Sequence, residues 1–194
     1  MKSIFLTALF IISLNTLVSQ DHQGDVDAGV IFNSELCVGT GVGNVRVDNS
    51  ILDANYEVTV GAKLMAAYRF PSHLTIGGMV YYDSYSDGSF LLFGGDVRYF
   101  LSTHELSPFL SLNGGYGAAL NNPNREGGLF YYPSLGIRVA INGPYAVLFS
   151  LGYKNQGFTE FRETEVVVDG VESTVERADD YRVGFLNISI GIIF

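Results

Sequence analysis

The last ten residues of the chain, "FLNISIGIIF" (185–194), are the stretch that decides the fold. Counted back from the end, every second residue is large and apolar: Phe194, Ile192, Ile190, Ile188 and Leu186. The positions between them are mostly small or polar. This period of two is typical of a β-strand with one apolar face. The question is then whether that face packs on a protein core or faces lipid.

Similar alternation recurs along the chain, and it predicts an all-β protein with eight strands. The predicted strands cover roughly 26–36, 56–70, 74–83, 89–101, 107–119, 129–141, 145–155 and 181–194. The connections 70–73, 102–107 and 142–144 are short and turn-like. The other four, 37–55, 84–88, 120–128 and 156–180, are mostly longer and richer in Gly, Asn and Asp. Because short turns and long loops then lie at opposite ends, the pattern predicts an antiparallel up-and-down transmembrane β-barrel.

Two features of the strands favour lipid around the barrel. Nearly every strand has a glycine on its less apolar face, where it would weaken a water-exposed strand but makes room inside a narrow barrel. Gly78, Gly95 and Gly114 are exceptions that fall on the apolar face. Aromatic residues of the apolar face also collect at two levels. The eight residues from Tyr145 to Tyr153 span about 20 Å at a tilt of ~40°, close to the ~25 Å apolar band of membrane barrels.

The first twenty residues differ from the rest of the chain. Lys2 precedes an apolar run that is too short to span a bilayer and ends near small residues, which predicts a cleavable signal peptide over 1–20, with an anchor helix as the alternative. Residues 21–194 would form the barrel domain. Without Lys2, 10 basic residues face 20 acidic ones, so a nucleic-acid ligand is not expected. The single cysteine, Cys37, excludes an internal disulfide.

Over residues 26–194 the chain resembles the small eight-stranded outer-membrane β-barrel proteins, the OmpX-like and OmpA-like barrels. The signal, the eight alternating segments and the apolar ending carry this resemblance. It implies a monomer in the outer membrane with both termini in the periplasm, contacting outer-membrane lipid. It also implies that the barrel-assembly machinery reads the ending Leu186, Ile188, Ile190, Ile192 and Phe194. Unlike the full OmpA type, the sequence has no peptidoglycan-binding domain after its last strand.

Catalytic, cofactor and metal-binding residues are not expected. A histidine mechanism needs a nucleophile and an acid beside the imidazole, but His22 lies in the N-terminal tail and His73 and His104 lie in predicted turns. The stretch "GTGVGN" (39–44) is suggestive of a phosphate loop, yet no helix follows it, and we expect a flexible outer loop. A non-enzymatic barrel with structural or surface-contact roles is therefore favoured. A narrow pore and a lipid-modifying enzyme are the alternatives.

The polar faces of the strands carry several charges that would lie inside the barrel. Asp96 is predicted to be the inward-facing acid near mid-depth, in an ionic cluster with Lys63, Arg98 and Arg138. Eight strands leave an interior just wide enough for side chains, so the sequence favours a packed ionic core over a selectivity lining.

The connection 156–180 is the most distinctive loop, with eight acidic residues against two basic ones. Asp169-Gly170 is a strong two-residue turn signal between valine-rich runs, so we expect a hairpin whose strands rise beyond the membrane over 164–176. Three roles are open for it: binding a partner by its edge, binding divalent cations, or keeping the surface soluble. The sequence does not identify a partner.

Overall fold

The computed structural model describes residues 28–42, 44–47, 50–53, 58–86, 88–141, 145–168 and 171–194. The predicted signal peptide and His22 lie outside the described residues. Eleven strands are present among those described. They are β1 (Gly29–Gly41), β2 (Asn44–Val47), β3 (Ser50–Asp53), β4 (Val58–Arg69), β5 (Leu74–Tyr85), β6 (Gly88–Phe100), β7 (Leu106–Leu120), β8 (Arg125–Glu126), β9 (Gly128–Ala140), β10 (Ala146–Val168) and β11 (Val171–Ile193). In the described part of the chain no helix is long and apolar enough to cross a membrane.

Eight of these strands form a closed antiparallel barrel, as the sequence predicts. Each of β1, β4, β5, β6, β7, β9, β10 and β11 pairs with the next in that order. The last strand then returns to the first, in a register that runs from Asn33↔Ile193 to Gly41↔Phe185. The three short strands extend the wall at the loop end, where β2 and β3 form a small hairpin beside β11 and β8 pairs with β10.

The barrel is apolar outside and polar inside, the reverse of a water-soluble protein. On the terminal strand the alternating apolar residues point outward, and Ile188 is 66% exposed, whereas Asn187 and Ser189 are buried in the interior. The same inversion holds on β1, where exposed Leu36 and Val38 flank buried Cys37. Large apolar side chains arranged around a whole barrel match a lipid environment. The apolar face of "FLNISIGIIF" therefore faces outward, away from the protein interior.

Outward-facing aromatic side chains lie at both ends of this apolar surface. Tyr68, Phe70 and Tyr99 are exposed on the side of the short turns, and Tyr82, Tyr116, Tyr131 and Tyr153 are exposed on the loop side. Such pairs of girdles mark the two membrane–water interfaces of outer-membrane barrels.

The structure corrects the prediction for the first long connection, 37–55. Strand β1 continues to Gly41, so the first half of "GTGVGN" is barrel wall rather than flexible loop, and Asn44 already begins β2. Gly39 is needed there for close approach, because a Cβ would overlap the buried side chain of Asn187 and stand 2.7 Å from Thr59 Oγ1. The short connection predicted at 142–144 lies outside the described residues.

Candidate functional site: the barrel interior and the outer hairpin

An ionic cluster crosses the barrel interior and is centred on Glu35, a residue that sequence reasoning did not select. Glu35 on β1 binds Lys63 Nζ on β4 at 2.9 Å and Arg98 Nη2 on β6 at 2.9 Å. The same Arg98 atom lies 3.1 Å from Asp96 Oδ2. Ser189 Oγ also donates to Glu35 Oε2, at 3.1 Å. We call Glu35, Lys63, Asp96 and Arg98 the interior cluster; all four are almost completely buried.

The sequence-based prediction required Asp96 to form an ion pair with at least one of Lys63, Arg98 and Arg138. Asp96 pairs with Arg98, and the acidic partner of Lys63 is Glu35. Arg138 is not in the cluster: it lies near the turn-side end of β9 and has no ion pair with a described residue. The prediction that Asp96 is the inward-facing acid was also incomplete, because Glu35 and Asp83 are buried in the interior as well.

A second buried ion pair lies nearer the loop end. Lys154 on β10 binds Asp83 on β5 and donates to the Tyr85 hydroxyl at 3.2 Å. Its ammonium group is also 4.8 Å from the centre of the Phe185 ring. Lys154 and Asp83 are completely buried, so this pair, like the interior cluster, is shielded from solvent.

Large side chains fill the space between and beside these charges. Residues that line a water-filled channel would be exposed to solvent, but many large interior side chains are less than 2% exposed. They include Arg98, Tyr81, Tyr132, Phe90, Phe100, Lys154, Phe185, Leu92 and Leu148. The described interior is thus a packed core of ionic and apolar layers, as expected for an eight-stranded barrel.

The end of the chain completes the barrel wall. Phe194 exchanges two backbone hydrogen bonds with Phe32, at 2.9 and 3.0 Å, and their rings stack with centroids 6.1 Å apart. The other predicted assembly-signal residues lie on the outward face of β11 and are exposed: Leu186, Ile188, Ile190 and Ile192. This segment can therefore be contacted from outside the barrel.

The long loop-side connection is a continuation of two barrel strands. β10 and β11 have 23 residues each and stay paired from Ala146↔Ile193 to Val168↔Val171. Asp169 and Gly170, the predicted turn, lie outside the described residues. We call residues 158–168 and 171–181 the outer hairpin.

Packing at the base of the outer hairpin fixes its direction. Phe158 and Tyr181 stack face to face with ring centroids 5.0 Å apart. Arg125 beside β10 binds Glu160 Oε2 at 3.1 Å and lies 4.6 Å from the Phe158 ring. On the other side, β2 pairs with β11 at Tyr181. The base is therefore supported from both flanks.

The described histidines lie in turns rather than in a cleft. His73 Nδ1 is within hydrogen-bond distance of the Phe100 carbonyl oxygen, at 3.0 Å, and His104 is exposed. Among the described residues no three His, Cys, Asp or Glu side chains are grouped to hold a metal ion.

Comparison with known proteins yields a likeness of fold. No protein-family model and no curated protein matches the chain. Among solved structures, neisserial surface protein A aligns with a TM-score of 0.54 at 11% identity, over 85% of this chain and 97% of that one. The N-terminal β-barrel domain of Pseudomonas aeruginosa OprF aligns with a TM-score of 0.44 at 14% identity, over 87% and 100%. Yersinia pestis Ail aligns with a TM-score of 0.41 at 13% identity, over 85% and 99%. The chain has the fold of the small outer-membrane β-barrels.

Proposed function

We propose that this chain is a monomeric, non-enzymatic outer-membrane barrel with a closed lumen, and that it presents the outer hairpin as a binding site for an extended, basic polypeptide segment. The length of the hairpin carries this proposal. Strands β10 and β11 have 23 residues, whereas the other barrel strands have 12 to 15. Membrane spanning does not require the additional length.

The reach of the outer hairpin follows from the position of the loop-side aromatic residues. Tyr153 marks the interface on β10, and Val168 is the last described residue of that strand. The 15 residue-to-residue steps from Tyr153 to Val168 correspond to about 50 Å of extended chain at ~3.3 Å per residue. The hairpin therefore stands well clear of the lipid headgroups.

Above its base, the outer hairpin has no strand partner on either edge in the described part of the chain. On β10, β8 pairs only with Thr159 and Glu160, and beyond them the Phe161 amide donates to Asn124. On β11, β2 pairs only with Tyr181 and Arg182. An unpaired strand edge can accept an extended peptide as an added strand. The eight acidic residues of 156–180 favour a basic partner and would repel an acidic one.

The closed lumen supports a contact role over transport. The interior cluster and the Asp83–Lys154 pair lie among buried rings, and a filled eight-stranded barrel leaves no aqueous path. In the proposed orientation the short turns and both termini face the periplasm, and the assembly machinery reads the outward face of β11 that ends at Phe194. The exposed apolar positions on that strand support such a contact.

A peptide-binding experiment tests the hairpin proposal. The probe is a short fluorescent peptide of alternating lysine and valine, and its binding to the detergent-folded protein is followed by anisotropy. The comparison variant replaces 162–177 by Asn-Gly, which closes a shortened hairpin between Phe161 and Ala178, a cross-strand pair. We expect the shortened variant to bind at least about tenfold more weakly, a loss of ~1.4 kcal/mol.

A control peptide separates strand addition from simple charge attraction. A peptide of the same charge with proline at alternate positions cannot form a strand ladder. Its affinity for the parent protein should therefore be about as low as the affinity of the lysine–valine peptide for the shortened variant. Equal affinity of the parent peptide for both proteins would refute the hairpin proposal. Steady conductance of the parent protein in a planar bilayer would refute the closed lumen and favour a narrow pore.

A further inference from the structure

Two buried arginines at the turn-side end of the barrel interior have no acidic partner among the described residues. Arg69 is the last residue of β4 and Arg138 lies near the end of β9; they are 5% and 8% exposed. The Arg69 guanidinium lies over the Phe100 ring at 4.7 Å, and Nε and Nη1 of Arg138 are buried without a hydrogen-bond partner. Both arginines adjoin one buried apolar cluster, because Leu148, the register partner of Arg138, belongs to that cluster together with Phe100.

The charge balance of the interior shows that nearby acids do not compensate these arginines. Buried acids of the described barrel wall are Glu35, Asp83 and Asp96, and each already binds Lys63, Arg98 or Lys154. Two positive charges are left, and both are at the turn-side end. Burying a charge without a counter-charge is costly, so this end of the barrel favours an anion.

The polar groups next to the arginines can donate hydrogen bonds. Thr75 is opposite Arg69 in the strand register, and its completely buried hydroxyl has no partner. A guanidinium group offers a planar set of N–H donors that matches the oxygens of a carboxylate or a phosphate. Two such groups, with the Thr75 hydroxyl opposite one of them, supply several donors at this end of the interior.

We propose that Arg69 and Arg138 form an oxyanion site inside the turn-side end of the barrel, which takes a carboxylate or phosphate group. One source of the anion is the chain itself. Asp25 and Asp27 precede Gly29 by four and two residues, and Gly29 pairs with Arg69. The two residues from Asp27 to Gly29 span at most about 7 Å, so chain length alone allows a carboxylate of this segment to approach the site. The other source is a phosphate group from the surroundings.

Thermal unfolding in detergent at constant ionic strength tests the site and distinguishes the sources. The probe is inorganic phosphate, with chloride as the reference anion. A diffusible oxyanion should raise the Tm of the parent protein by about 3–6 °C at tenfold excess over its Kd. The response should vanish in Arg138→Gln and persist in Arg182→Gln, which changes an exposed arginine of β11.

A tail carboxylate gives the opposite pattern. The parent protein should then ignore phosphate, while the Asp25→Asn/Asp27→Asn variant should unfold several degrees lower and gain a phosphate response. Adding Arg138→Gln to that variant should abolish the response again. If neither the parent nor the tail variant responds to phosphate, the proposal is overturned. If Arg138→Gln fails to fold, a second measurement decides the same question. The ³¹P resonance of phosphate should broaden when the parent protein or the tail variant binds it, and sulfate, but not chloride, should reverse the broadening.

Discussion

Replacing Glu35 by glutamine should destabilise the barrel by about 3 kcal/mol, because Glu35 holds two buried cations in place. Lys63 and Arg98 both bind it at 2.9 Å, and Lys63 has no other acidic partner among the described residues. Removing one member of a buried ion pair typically costs ~3–5 kcal/mol, since the remaining charge is left uncompensated. We expect the lower end of that range because glutamine keeps the volume and one acceptor oxygen, and because Asp96 still binds Arg98.

Urea unfolding of detergent-folded protein measures this cost. The chain contains no tryptophan, so unfolding is best followed by far-UV circular dichroism and by the gel mobility of unheated samples. Glu105→Gln is the matched control, because Glu105 lies exposed in a short turn and its replacement should change stability by less than about 0.5 kcal/mol.

A double substitution separates the ionic effect from a packing effect. Combining Glu35→Gln with Lys63→Met removes both charges of one pair, so the double variant should be more stable than the sum of the single changes predicts, by at least about 1 kcal/mol. If Glu35→Gln unfolds at the same urea concentration as Glu105→Gln, the interior cluster does not hold the barrel together. Strictly additive effects would show that Glu35 and Lys63 act independently.

Three further outcomes are expected. Deleting Phe194 should reduce the amount of barrel assembled in cells far more than it reduces stability in detergent, since the deletion removes only one ring contact and two backbone hydrogen bonds with Phe32 at the end of the last strand; equal losses in both assays would make it a packing residue only. Replacing 162–177 by Asn-Gly should leave the urea midpoint of the barrel within error of the parent, and failure to refold would make the outer hairpin a structural element. Asp83→Asn should lower stability by about 3 kcal/mol by leaving Lys154 buried without its described acid, whereas an unchanged midpoint would contradict that role.

The strands could be predicted because their signal is local. Each wall residue faces either lipid or the packed interior, so apolar and small or polar side chains alternate within a single segment. The terminal run from Leu186 to Phe194 shows this most clearly, and its outward face is as predicted. The wrong prediction of a loop after residue 36 also came from a local signal. Gly39 and Gly41 suggested a loop, although close packing against Asn187 is the reason for a glycine at 39.

The partners inside the barrel could not be predicted in the same way. Alternation shows that Lys63 and Arg98 point inward, but it does not show which residues meet across the lumen, because that depends on strand stagger. Glu35 and Arg98 are 63 positions apart and lie on strands that do not pair with each other. One local signal could have identified Glu35 as an interior residue. Glu35 has the same parity as Asn33 and Cys37, and a strand that extends to Gly41 places Glu35 well within the barrel wall.

The glycines that fitted the pattern poorly also become clear only from the strand register. Gly78, Gly95 and Gly114 stand side by side on β5, β6 and β7, and Ala66 on β4 continues the row. They are outward-facing, as the parity indicates, and a Cβ at any of the three glycines would meet no atom closer than 3.6 Å. The row is therefore a band of small residues on the lipid-facing surface, which no single strand could reveal.

The outer hairpin depends on the barrel through strand pairing. A two-stranded hairpin alone is marginally stable in water, and like charges along it make it less stable. Here the two strands enter the hairpin already aligned by their pairing within the barrel wall, and Arg125 neutralises part of the acidic charge at the base by binding Glu160. Pairing within the wall thus sets the register in which the two strands of the outer hairpin continue, and this supports a hairpin that would be marginally stable alone.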